Sequence, residues 1–91
     1  MFRVSEHVRK TSSEDGAIVL NVRHGQIFGL NLVGSRIIEL LEHQRTPAQI
    51  AQDIASTFGV DIDIAERDVS EFLGSLEKHH LIEAQGTGVA L

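Results

Sequence analysis

The chain has no cysteine. Disulfides, thiolate metal sites and a cysteine nucleophile are excluded together, and the composition fits a reducing compartment. Basic residues are few: eight Lys and Arg stand against thirteen Asp and Glu, a formal charge of −5. Nucleic acid is held largely by cations on phosphates, so this balance argues against a nucleic-acid partner and favours a neutral or basic one. No apolar run approaches the ~18 residues that a membrane span needs. The N-terminal segment interleaves Arg3, Glu6, Arg9, Lys10, Glu14 and Asp15 with apolar positions, so no signal peptide is expected. The expected location is the cytoplasm.

Signatures of catalysis are equally scarce. None of the serines sits in a Gly-x-Ser-x-Gly elbow. Gly25-Gln26-Ile27-Phe28-Gly29 lacks the lysine of a phosphate loop. His7, His24, His43, His79 and His80 show no i, i+3 or i, i+4 pair on a helix, so they read as surface histidines rather than metal ligands. Asp61, Asp63, Glu66 and Asp68 read as solvated acids near a helix N-terminus, where negative charge is favoured. No enzyme, cofactor or metal is expected.

What is present is a patterned chain of 91 residues, enough for one core. Phe2, Val4 and Val8 alternate with polar neighbours and predict a half-buried first strand. Thr11 to Gly16 reads as a polar turn ending in Asp-Gly. Ala17 to Arg23 is β-branched and nearly all apolar, which suits a central strand covered on both faces. His24-Gly25 predicts a two-residue reversal pairing Arg23 with Gln26 and Val19 with Leu30. The third strand, Gln26 to Asn31, carries no charge and no proline. Edges are usually protected by such residues, so this one is expected to be covered by the fold or held open for another chain.

Three helices follow. Asn31 can cap the first, which runs to about Gln44 with Val33, Ile37, Leu40 and Leu41 on one stripe. Gly34 in its first turn predicts close approach to a neighbour. Thr46-Pro47-Ala48-Gln49 combines an N-cap, an N1 proline and a capping-box glutamine, and this second helix stops by Gly59. The third begins near Asp61 or Asp63, ends near His79, and presents Ala65, Val69, Phe72, Leu73 and Leu76. Leu81-Ile82 closes on the core, and Gly86 to Leu91 reads as a frayed tail. Three strands then three helices predict α+β architecture, winged-helix-like, with a three-stranded antiparallel sheet. A winged helix raises DNA binding as an alternative. Against it, the exposed face of the second helix (Gln49, Gln52, Asp53, Thr57) has no cation, and the third helix is acidic.

The apolar edge beside the third helix is the feature left to explain. An extended peptide added antiparallel to Gln26–Asn31 would satisfy free backbone groups and drop alternate side chains between strand and helix. Pairing of two copies through the same edge, a homodimer, is a further reading.

Asp15-Gly16-Ala17, then Phe28-Gly29-Leu30-Asn31-Leu32-Val33-Gly34, Ile38-Glu39-Leu40-Leu41, and finally Asp68-Val69, Phe72-Leu73, Leu76 and Leu81-Ile82 together resemble the PqqD-like family. The resemblance covers Phe2 to Glu83. It implies a RiPP recognition element over residues 1–83 with a C-terminal tail at 84–91. Such elements bind the leader of a ribosomally made precursor peptide as an added strand and present it to a processing enzyme. Carried over, the leader site comprises Gln26, Ile27, Phe28, Gly29 and Leu30 on the strand and Val69, Phe72, Leu73 and Leu76 on the helix, with Asp68 and Glu71 on a polar rim. Phe28 to Gly34 looks most like standalone proteins of lasso-peptide clusters, whose partner is a leader peptidase. The quinone-cofactor branch would instead imply a radical-SAM partner.

Overall fold

The computed structural model describes residues 2–84. Five strands and three helices follow one another: β1 (Phe2–Val4), β2 (Val8–Ser13), β3 (Gly16–Asn21), β4 (Gln26–Leu30), α1 (Leu32–Glu42), α2 (Pro47–Phe58), α3 (Ile62–Lys78) and β5 (Ile82–Ala84). The main sheet is antiparallel in the order β2-β3-β4, and β1 pairs with β5 in a small second sheet. The expected α+β architecture is present, with that second sheet added.

The first strand is therefore two. Ser5 is buried, its N–H donates to Leu81 O, and its carbonyl accepts from Val8 N. The chain turns there, so Phe2–Val4 goes to the C-terminal strand and Val8 onward goes to β3. Phe2 faces Ala84 and Val4 faces Ile82. Ala84, expected in the tail, thus belongs to a strand; residues 86–91 lie outside the described residues. The polar run from Thr11 is not a turn either. Pairing continues to Ser13 opposite Gly16, leaving Glu14-Asp15 as the loop. Polar composition misled here because these residues sit on a solvated end of the sheet, where propensity yields to cross-strand pairing.

The β3–β4 register also differs from expectation. Asn21 faces Gln26, Val19 faces Phe28 and Ala17 faces Leu30, a shift of two residues. The cause is the Asn21 side chain, whose Oδ1 accepts from Arg23 N at 3.0 Å and His24 N at 3.1 Å. This Asx turn organises a longer loop, Val22 to Gly25. A shift of two keeps every side chain on its expected face. Only one face of β3 is covered, however: Ala17, Val19 and Asn21 are buried, whereas Ile18 is 53% exposed.

Gly16, at φ +144°, opens β3 where an added Cβ would lie 1.8 Å from Leu30 O. Only glycine fits that crossing. The helices begin and end largely as their caps dictate. Asn31 accepts from Gly34 N, Thr46 and Gln49 form the reciprocal capping box, and Asp61 caps α3. The first helix stops at Glu42, two residues short of expectation, with Gln44 at φ 61°. Ile38, Leu41, Ile50, Val69 and Leu81 join Val19 in the core. A bidentate pair from Arg36 to Asp53, both contacts at 2.9 Å, ties α1 to α2.

Candidate functional site

Among the described residues, β4 is paired on one side only. Its inner neighbour is β3, and no described strand pairs with its other edge. The C-terminal strand, the segment best placed by chain order to close such an edge, pairs with β1 instead. No charged residue lies on β4. Among the described residues the edge is open and chemically undefended.

α3 runs alongside. Phe28 and Leu30 are half-buried against the core, and Phe28 meets the His79 ring at a centroid distance of 5.0 Å. Farther along, Phe72 packs over Gly34, where an added Cβ would stand 3.0 Å from its Cζ. The close approach expected of Gly34 is therefore real, and Phe72 is its partner. Asp68, Phe72, Ser75 and His79 fall on one helical stripe by their spacing. Beyond Leu30, the start of α1 and the facing parts of α2 and α3 enclose an apolar cup of about 240 Å³ lined by Gly34, Phe58, Val60, Asp68 and Phe72 among others.

The position of α3 is held by Asn21. Its buried amide donates from Nδ2 to His80 O at 3.0 Å while Oδ1 takes the two loop amides. One side chain thus fastens the β3–β4 loop to the C-terminal end of α3. His80 adds a ring stack on His24 at 4.7 Å.

The sequence-derived residues divide into two sets. Gln26, Ile27, Phe28, Gly29 and Leu30 form the open strand; Ile27, on the outer sheet face, is 70% exposed. Phe72 and Asp68 border the groove. Val69, Leu73 and Leu76 are 2%, 3% and 3% exposed, packed in the core cluster. Val69 also reaches the cup, whereas Leu73 and Leu76 are not among its lining residues. Asn21 and His79 were missed. The Asx-turn potential of an asparagine before a loop was a readable signal for the first, whereas the contact of His79 with Phe28 joins residues 51 positions apart and had none. No cluster of three His, Asp or Glu suited to a metal occurs among the described residues.

A sequence model of the family described as coenzyme PQQ synthesis protein D (PqqD) matches residues 16–82. The chain belongs to the PqqD family. Three solved structures place this member more closely. TbiB1, solved in complex with the TbiA(beta) leader peptide, is 34% identical with a TM-score of 0.85, over 92% of this chain and 98% of that one. A lasso peptide synthetase B1, complexed with its leader peptide, is 26% identical with a TM-score of 0.83, over 91% and 98%. The PqqD truncation of Methylobacterium extorquens PqqCD, a stand-alone RiPP recognition element, is 25% identical with a TM-score of 0.75, over 91% and 88%. Among curated proteins, no sequence match is found.

Proposed function

We propose that this PqqD-family chain is a non-catalytic adaptor that captures the leader of a ribosomal precursor peptide as an added strand on β4. It delivers that peptide to a processing enzyme, a lasso-type leader peptidase, in the cytoplasm where the precursor is made. The domain responsible spans residues 1–83, extended by Ala84 in β5. The observation that carries the proposal is the open, uncharged edge of β4 beside the Phe72 stripe of α3. Two similar proteins solved with leader peptides support it.

The energetics are sufficient. Four new backbone hydrogen bonds at ~1 kcal/mol net give about 4 kcal/mol. Two buried apolar side chains at ~2–3 kcal/mol give about 5 more, and ordering the peptide removes ~2–5 kcal/mol. The net of about 4–7 kcal/mol corresponds to an affinity between roughly millimolar and about ten micromolar, with the apolar anchors supplying the larger share.

The TbiA(beta) leader serves as a first probe because a relative binds it. Titration into labelled protein should move the backbone amides of Gln26–Leu30 and the ring signals of Phe28 and Phe72. Two leaders N-methylated at alternate residues in opposite phases should differ sharply in affinity, since only one phase removes the donors that face β4. Shifts confined to another face, or equal affinity for the two N-methylated leaders, would reject strand addition. Sedimentation with and without leader tests the dimer reading, because a leader on β4 displaces a copy paired there.

A further inference from the structure

The groove beside β4 is electrically lopsided. At its Leu30 end lies the apolar cup of about 240 Å³, and the only charged side chain among its lining residues is Asp68. That carboxylate is 62% exposed and has one cationic neighbour, Arg67 Nε, at 3.9 Å. Glu71 precedes Phe72 on the same helix, and Asp61 stands at its N-cap; both are exposed. Glu66 belongs to the opposite groove, beside Pro47 and Phe2. Of the nearby cations on other elements, Arg36 is occupied by Asp53 and Glu39. At the Gln26 end the charges are Arg23 against Glu77 and Glu83, the last paired with Arg3, with His24 and His80 close by and His79 on Phe28.

We infer that the Asp68 carboxylate, with Glu71 beside it, makes this site selective for a leader whose N-terminal flank is cationic and whose next residue offers an apolar side chain to the cup. The inference rests on the strand-addition reading and goes beyond it by assigning the substrate a charge and a direction. β4 runs from Gln26 to Leu30, so an antiparallel leader enters at the Leu30 end with its N-terminal residues at the cup and leaves past Gln26. A cation there meets Asp68 and Glu71 over an apolar floor, where partial exclusion of water strengthens the attraction. An anionic flank meets repulsion from the same groups and from the −5 charge of the whole chain. At the other end the mixed charges leave little preference. Asp68 and Glu71 are thus specificity-determining, while the apolar anchors supply affinity.

Four peptides test this: the TbiA(beta) leader extended by three lysines or three glutamates, at its N-terminus or at its C-terminus. Binding is measured by fluorescence anisotropy at low and high salt. At low salt the N-terminal lysine peptide should bind about tenfold tighter than the N-terminal glutamate peptide, and high salt should compress that ratio severalfold. The C-terminal pair should differ much less. In an Asp68→Asn/Glu71→Gln variant, both changes being on exposed side chains, the N-terminal ratio should collapse toward one whatever the variant's affinity for the unextended leader. An N-terminal ratio near or below one, a larger ratio at the C-terminus, or a ratio unchanged in the variant would overturn the inference and leave strand addition standing. Failure of all four and of the unextended leader would remove both.

Discussion

Asn21 does three things with one amide: it shapes the β3–β4 loop, sets the register of the open strand and anchors the end of α3. An Asn21→Leu change keeps the branched skeleton, though with more bulk, and leaves His80 O and two loop amides without their partner. Each buried group left unpaired costs roughly 1–3 kcal/mol. The variant should unfold at lower urea, and if folded should exchange its His24 amide faster than the parent. Two neighbours on α3 separate packing from recognition. Leu73→Ala removes a fully buried side chain and should cost about 2–5 kcal/mol of stability. Phe72→Ala truncates a half-buried ring on the groove wall; it should weaken leader binding at least tenfold by anisotropy while losing less stability than Leu73→Ala.

Among the elements, α1 and α2 are joined by charge as well as by apolar packing. The hydrogen bond from Arg36 holds the Asp53 carboxyl below its ordinary value of 3.8, against the opposing effect of burial. Because the folded pKa is the lower one, the pair stabilises fully above the unfolded carboxylate pKa. That contribution begins to fall once pH drops below about 4 and is lost as pH falls through the folded value. Asp53→Asn should therefore cost about 0.5–1 kcal/mol at neutral pH. The gap between variant and parent in urea unfolding should narrow only in strong acid. The helix starts were legible in the sequence because capping is local chemistry: Asn31, Thr46 with Gln49, and Asp61 each act within four residues. The strand ends were less so. Where β1 stops and β2 starts depends on Leu81 accepting from Ser5, a contact that no local pattern encodes.

Taken whole, the molecule separates its closed edge from its open one. Both described ends of the chain are consumed in the β1–β5 pair, reinforced by Arg3 and Glu83 at 2.5 Å. Deleting residues 1–4 should uncover Ile82, now 2% exposed, and lower stability by roughly 2–3 kcal/mol, read as a shift in the urea midpoint. Leader affinity of the folded fraction should be retained, since β4 is untouched.

The amino-acid sequence alone determined the α+β order, the three helices with their caps, the charge that disfavours nucleic acid, and the identity of the uncharged strand. All of these follow from side chains acting on near neighbours or from composition. Tertiary structure decided which edge stays open, because that depends on where the last strand goes. It also decided which α3 residues face the groove, since Leu73 and Leu76 share an apolar character with Phe72 and differ from it only in what the remainder of the fold packs against them.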